Sequence, residues 1–454
     1  MTDEISSNLV TDGEGGYGAS YMDDLFPFTT WMADTGVDKL RKYVGGDAKY
    51  WNNLYKKINV CNMVLELIDE QPERKFGDAE EKERVKGEAY FLRGAYYFML
   101  VNLYGKPYAP ATAESDLGVP VKLTGVIEDV EFSRNSLAST YKQIISDLEN
   151  AERFLDGKTR KSIYRANKIA VNLLQSRVYL YMQDWKNAAD YADKVLKAQS
   201  ALLDLHSKSV GDDCVYGTSP ETIFSSGGYA IASAFADLES YWGYNPTTYI
   251  VSEDMRSLYE SNDLRKDLYI GSTELLGDPN VFKKVNGQRS KLSSYCTVSS
   301  VFLLRTPEAY LTYAEAKAFD GQEGEAREKL GEFLKTRMDN AQEITLSGND
   351  LIDFIREERA REFLVEGHRW FDLRRYTVCV PYPWSKEIVH EFPFYDQYGQ
   401  YIDYVERYVL ERNDPAYTLP IPREVRNFQI SLGNNVRPDR QPYTYTPEEE
   451  EEDW

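Results

Sequence analysis

Residues 85–105 read VKGEAYFLRGAYYFMLVNLYG, and the reading of this stretch decides the fold. Val85, Ala89, Leu92, Tyr96, Met99 and Leu103 recur every three or four positions, the spacing that lines one face of an α-helix. Gly105 ends the pattern and Pro107 follows it, the usual order of signals after a helix C-terminus. Upstream, Asp78 followed by Glu81 reads as a capping box that opens the helix. Trp51, Leu54, Ile58, Cys61, Leu65 and Ile68 form an earlier stripe over about 50–69, so the two helices are expected to pair as a hairpin across the loop with Pro72 and Gly77.

The same grammar continues on both sides. Leu137, Tyr141, Ile144, Leu148, Ala151 and Leu155 predict one helix, and a second is expected from about Arg165 to Met182. Ser176, Tyr179, Ala188, Ala192 and Val195 then fall at tetratricopeptide-like positions. A third pair is expected over Ala309–Phe319 and Glu325–Met338, and a fourth long segment over Asp350–Tyr376. The expected fold is all-α, with four tetratricopeptide-like repeats decorated by loops and a short hairpin. The scaffold occupies roughly 47–200 and 306–376 of a single domain. Residues 200–305 are rich in Ser, Gly and Tyr with weak periodicity, and are expected to be a loop-rich ligand-binding insert. Residues 378–454 read as a proline-punctuated, loop-rich segment whose acidic run, Glu448 to Asp453, is a solvated end.

Composition removes several function classes. The chain has 454 residues with 53 Lys and Arg against 74 Asp and Glu, a net charge of −21 that repels phosphate backbones and anionic lipid. Nucleic acid is thus an unsuitable partner. No window approaches the roughly 20 apolar residues of a membrane helix, so membrane attachment is expected only through a lipid or a partner. The first residues, MTDEISSNLVTDGEGGYG, carry no basic and apolar leader, which fits a cytosolic chain or a processed mature one. The 35 tyrosines, with 19 Phe and 7 Trp, suit a wet binding surface for sugars or peptides as well as a core.

Chemistry is harder to find. Cys61, Cys214, Cys296 and Cys379 are scattered without a CxxC pair, and His206, His368 and His390 fall outside any HExxH spacing, so neither a metal nor another cofactor is expected. The cysteines read as small buried hydrophobes. Gly13 to Gly18 lacks the following GKS or GKT of a phosphate loop, and no GxSxG occurs. The charged run from Arg356 to Arg375 could suggest a glycosidase, which needs two carboxylates about a sugar. Each carboxylate there has an Arg within helical reach, so the run is read as an ion-pair network centred on residues such as Glu366 and Arg369. The chain is therefore read as a binding protein and not an enzyme.

Motifs in a fixed order resemble the SusD/RagB family of bacterial cell-surface nutrient-binding lipoproteins. They are Tyr50-Trp51-Asn52 with Ile58 and Asn62, Lys86 through Phe98, Leu103-Tyr104-Gly105 with Pro107, and the helix Leu137 through Leu155. Leu304-Arg305 with Glu308, Leu311 and Ala314 through Ala316, then Ile355 through Arg359 with Glu362, Glu366 through Arg375, and Leu419 through Pro422 complete the set. The resemblance covers roughly 47–435. It implies a processed chain, lipid-anchored on the outward face of the outer membrane by a segment not seen in this sequence. It also implies oligosaccharide capture and delivery to a SusC-like TonB-dependent transporter.

Two stretches offer the aromatic and amide or charged mixture that stacks and hydrogen-bonds sugars. One lies from Phe26 to Trp51 and contributes Trp31, Asp34, Arg41 and Tyr43; the other, around Tyr229 to Tyr249, contributes Tyr241, Trp242, Tyr244 and Asn245. The resemblance implies the same two sources, the N-terminal stretch and the insert. Trp51 lies on an apolar stripe and is assigned to the core, and Tyr90, Tyr96, Tyr97 and Tyr104 to the core or a partner-facing groove. The rival readings are a peptide-binding member of the same family, a helical-barrel glycoside hydrolase or polysaccharide lyase, and a cytosolic tetratricopeptide adaptor.

Overall fold

A computed structural model describes residues 2–7, 18–73, 77–227, 238–240, 243–245, 249–272, 280–285, 298–299, 302–396 and 402–446, with backbone alone at 18–22, 238–240 and 243–245. The chain opens with β1 (Ile5–Ser7) and α1 (Gly18–Thr29). Helices α2 (Lys49–Leu67), α3 (Asp78–Tyr104), α4 (Leu137–Leu155), α5 (Lys168–Tyr181) and α6 (Trp185–Ala198) then pack in series, each on the next. Their starts are chemically marked: Ser136, Asn167 and Asp184 each accept the backbone N–H three residues on. The α3 start differs from expectation. Asp78 is already helical and Gly77, in the left-handed conformation at φ 91°, occupies the cap position. Gly87 and Gly94 admit α4 closely, since a Cβ on Gly87 would fall 2.7 Å from Leu155 and one on Gly94 3.3 Å from Leu148.

Between α6 and residue 305 the chain runs in short pieces: β2 (Thr222–Ser225), β3 (Leu238–Ser240), β4 (Gly243–Asn245), β5 (Tyr249–Val251), α7 (Glu253–Ser257), α8 (Arg265–Tyr269), β6 (Ile270–Gly271), β7 (Val281–Phe282) and β8 (Leu303–Arg305). β2 pairs antiparallel with β8, β3 with β4, β6 with β7, and β5 with the N-terminal β1. The helical scaffold then resumes. Helix α9 (Thr306–Phe319), with Pro307 in its first turn where a missing N–H costs nothing, packs on α5, α6, α10 (Glu323–Leu334) and α11 (Gly348–Glu362).

One expectation is corrected here, and one segment holds more structure than the sequence announced. The segment 350–376 is not continuous: α11 stops at Glu362 and α12 begins at Arg369 and runs to Tyr376. Val365 and Gly367 between them take φ of 55° and 78°, which no α-helix allows. Within the loops of 378–446 lies a sheet that the sequence reading did not foresee. β9 (Ile388–Tyr395), β10 (Ile402–Leu410) and β11 (Tyr443–Tyr445) form an antiparallel sheet in the order β11-β10-β9, with α13 (Arg423–Phe428) between the last two strands in sequence. Pro393 inside β9 disguised it as loop, although Ile388, His390, Phe392 and Phe394 bury every second side chain.

Burial falls into two main cores. The larger joins α2 through α6 with α9, α10 and α11, and includes Trp51, Tyr97 and Tyr104. The second unites Phe26, Trp31, Tyr249, Leu364, Trp370, Phe392 and Tyr408, so the N-terminal stretch, the root of the insert and the C-terminal sheet share one interior. Cys61, Cys214 and Cys379 are free and buried, and Cys296 lies outside the described residues. No described helix is long and apolar enough to cross a membrane.

Candidate functional site

The N-terminal candidates sit on a small hairpin. Val37 bridges Tyr43, Val44 N–H donates to the Gly36 carbonyl at 2.8 Å, and Asp38 turns the tip by accepting the Leu40 and Lys42 N–H groups at 3.0 and 2.9 Å. Asp34 fixes the entry by accepting Gly36 N–H at 3.0 Å. Gly36 lies so close under the Tyr43 ring that a Cβ would sit 2.6 Å from it. The Arg423 guanidinium covers that ring 4.4 Å from its centroid, and the Tyr43 hydroxyl donates to Asp47 at 3.1 Å. Burial, and then the Asp47 charge, push the phenol up to about 12.

Arg41, at the hairpin tip with φ 62°, reaches across to β10. Its Nη2 donates to Glu406 Oε2 at 2.6 Å and to the Tyr408 hydroxyl at 2.8 Å, while that hydroxyl donates to Glu406. Burial opposes the Arg41 charge, but the Glu406 bond and the facing Tyr408 outweigh it and hold the guanidinium above its ordinary value. The Arg41 side chain remains 40% exposed. Tyr404 on the same strand stacks on Phe394 at 4.6 Å and 10°. Glu406 and Tyr408 are themselves buried, so the part-exposed Arg41 guanidinium is the polar group this edge presents, beside the half-buried Tyr43 and Tyr404. Such an edge offers guanidinium donors and phenol rings together.

Trp31 is not on that edge. It is 0% exposed and lies stacked on His390, centroids 4.7 Å apart at 27°. With no free face it packs the second core, which corrects its assignment as a stacking surface. Tyr244 and Asn245 fall on β4, paired opposite Glu239 and Leu238, whereas Tyr241 and Trp242 lie outside the described residues. The root of the insert does reach the N-terminal stretch. Tyr249 on β5 pairs with Ser7, meets the Thr29 hydroxyl, and is joined to the sheet through the Ser7 hydroxyl, which donates to the Glu391 carbonyl. Asp34, Arg41 and Tyr43 thus share one hairpin, and Glu406, Tyr408, Tyr404 and Arg423 beside them went unread in the sequence. The only available signal was the alternating VERYVL of 405–410, masked by its proline-rich surroundings.

The charged run is a buried network. Glu362 accepts from Arg305 at 2.5 Å and Arg337 at 2.9 Å, with Arg265 at 3.3 Å; Glu358 meets Arg265 at 2.5 Å and Arg361 at 2.9 Å. Glu366 takes two bonds from Arg305, at 2.8 and 2.7 Å, and one from the fully buried Lys284. Asp372 lies between Arg359 and Arg375, 3.1 and 2.7 Å away. Burial alone would favour protonation, but the surrounding guanidiniums win and keep Glu358, Glu362, Glu366 and Asp372 below the ordinary carboxylate range. Such groups cannot donate a proton near neutrality. Glu4 does lie in a general acid's range, pushed up to about 7 by burial, yet its oxygens accept from Val365 N–H and the Thr2 hydroxyl inside the second core, beyond a sugar's reach. Among the described residues no cluster of three or more His, Cys, Asp or Glu could hold a metal.

The family described as "Starch-binding associating with outer membrane" matches residues 18–180, and the one described as "SusD family" matches 279–436. A SusD-like protein of Bacteroides ovatus is 22% identical over 385 residues, taking in 71% of this chain and 64% of its own length. A SusD-like protein of Formosa agariphila is 24% identical over 390 residues, 73% of this chain and 72% of its own. Among solved structures, a SusD superfamily protein from Bacteroides thetaiotaomicron superposes with a TM-score of 0.69 at 22% identity, covering 96% of this chain and 93% of the other. A SusD-like carbohydrate binding protein from Bacteroides vulgatus gives 0.67 at 21% identity, covering 95% and 90%. Surface glycan-binding protein A from Bacteroides uniformis gives 0.67 at 17%, covering 96% and 92%. These structural likenesses establish the fold.

Proposed function

The chain belongs to the SusD/RagB family, and from that premise we propose that it captures oligosaccharides at the outer face of the outer membrane, without cleaving them, and delivers them to a SusC-like TonB-dependent transporter. A lipid anchor holds it there in this reading. The observation that carries the ligand class is the Arg41–Glu406–Tyr408 edge. The buried Glu406 carboxylate at 2.6 Å largely cancels the Arg41 charge while the part-exposed guanidinium keeps N–H groups to donate, which suits a neutral polyhydroxylated ligand. A peptide-binding site would present uncompensated charge instead. The named carbohydrate-binding and glycan-binding neighbours support the same choice, as does the lack of a proton donor in the Arg-saturated cluster.

Asp34, Arg41 and Tyr43 supply the polar half of this site, and Tyr241, Trp242, Tyr244 and Asn245 the stacking half. The test is a glycan array followed by calorimetric titration of the best ligand. Arg41→Ala and Trp242→Ala should each weaken binding, the latter by about thirtyfold, the loss of roughly 2 kcal/mol of stacking contact. Melting temperatures should stay nearly unchanged and no reducing ends should appear. Full affinity in both variants would move the site elsewhere, and turnover abolished by one carboxylate substitution would make the protein an enzyme.

A further inference from the structure

Away from the hairpin edge, a cavity of about 200 Å³ opens between the turn 258–263 and the loop that joins α10 to α11. Its floor is apolar, formed by Leu258, Leu334, Met338, Ile344 and Phe354. The two walls are tied by main-chain bonds: Leu264 N–H donates to Arg337 O at 3.0 Å and Asp339 N–H to Asn262 O at 2.8 Å, around the Asp263–Met338 bridge. Behind them Asp263 holds the buried Arg265 at 2.9 and 2.8 Å, so the cavity is preformed.

Its charge is one-sided. Arg361 in the lining is already committed, donating to Glu358 at 2.9 Å and to the Leu258 carbonyl at 3.1 Å, and Asp263 is committed to Arg265. The carboxylates of Glu260 and Glu343 at the mouth are exposed and have no partner among the described residues. An apolar floor beneath two uncompensated carboxylates is complementary to a hydrocarbon stem ending in a positive charge. We propose that this cavity receives a lysine or arginine side chain presented by a partner protein. The stem lies along Leu334, Met338 and Phe354, and the ammonium or guanidinium group meets Glu260 and Glu343. This docking point is independent of the carbohydrate reading.

The test uses the whole chain with methyl-labelled Leu, Ile and Met. It is titrated with acetyl-lysine methylamide, acetyl-arginine methylamide and the uncharged acetyl-norleucine methylamide, whose four-carbon stem matches that of lysine. The basic compounds should shift the Leu334, Met338 and Ile344 methyls saturably and bind more tightly than norleucine, by about threefold per carboxylate engaged. The Glu260→Gln/Glu343→Gln double variant should keep its melting curve, since both groups are exposed, and lose that preference. Equal binding of norleucine, a preference that survives the double substitution, or no saturable shift at these methyls would each overturn the proposal.

Discussion

Asp3 and Arg369 stand 366 positions apart in the chain and meet face to face, Asp3 accepting two hydrogen bonds from the guanidinium at 2.8 and 2.6 Å. Both are buried, and Lys386 approaches the same carboxylate at 3.1 Å. The pair pins the N-terminal segment across the joint between α11 and α12. Removing one member strands the other in the interior. Arg369→Ala is therefore expected to cost about 3 to 5 kcal/mol in chemical unfolding, with ligand affinity of the folded fraction unchanged. A loss under about 1 kcal/mol, the worth of a surface pair, would contradict it.

Glu366 answers to two cations, Arg305 and the fully buried Lys284. Glu366→Ala leaves both short of a counter-charge and should lower the melting temperature more than an exposed substitution such as Glu260→Gln. Calorimetric melting of the two variants side by side checks this. Unchanged stability with lost glycan affinity would place Glu366 in a binding site instead.

Trp31, fully buried against His390, should behave as a core residue. Trp31→Ala is expected to cost about 3 to 5 kcal/mol, as large-to-small core substitutions do. Arg41→Ala, ten positions on, should cost less, since its guanidinium is 40% exposed and the Tyr408 hydroxyl still donates to the Glu406 carboxylate it leaves. Urea midpoints in which Arg41→Ala falls at least as far as Trp31→Ala would reverse their roles.

Glu4 sets a pH dependence of unusual sign. Burial raises its carboxyl from the ordinary 4.5 to about 7, so between these values the native state keeps a proton that the unfolded chain has released. Its contribution is complete below about pH 4.5 and is lost as pH rises through about 7, on the order of 3 kcal/mol. The depressed Glu358, Glu362 and Glu366 act oppositely, adding stability above the ordinary carboxylate range and losing it as pH falls. Unfolding free energies of the wild type and Glu4→Gln across pH 4 to 8 should differ in slope, the variant declining less toward neutral pH. Parallel profiles would remove Glu4 as the cause.

What the sequence showed and hid follows from the range of the interactions. Helix α4 begins and ends at Leu137 and Leu155, the first and last residues of its apolar stripe, because both core contact and the Ser136 cap are written locally. The break before α12 was written too, in Glu366-Gly367, but helix-forming residues on both sides outweighed one glycine in the reading. The sheet β9–β10–β11 was hidden because pairing depends on partners up to 40 residues away, such as Val405 with Tyr445. At the site, Arg41 was legible as a polar candidate, whereas its partner Glu406 lies 365 positions on and nothing local joins them. Trp31 shows the reverse: its aromatic, polar surroundings look like a surface in sequence, yet His390 and β9 close over it.

The network around Glu362 also fixes how this chain can be divided. Arg265, Arg305 and Arg337 come from the insert, from the strand before α9 and from the turn after α10, while Glu358, Glu362 and Glu366 come from the end of α11 and the joint beyond it. Glu221 and Asp263 join them, bonding Arg337 at 2.6 Å and Arg265 at 2.8 Å, so the guanidiniums draw on carboxylates that emerge both before and after them, and the centre is complete only once α11 and the joint beyond it have been made. The same dependence governs chimeras: a crossover between relatives placed between 221 and 366 separates charges from their complements, whereas an exchange that keeps those positions intact leaves the network paired while the Arg41 hairpin and its edge change.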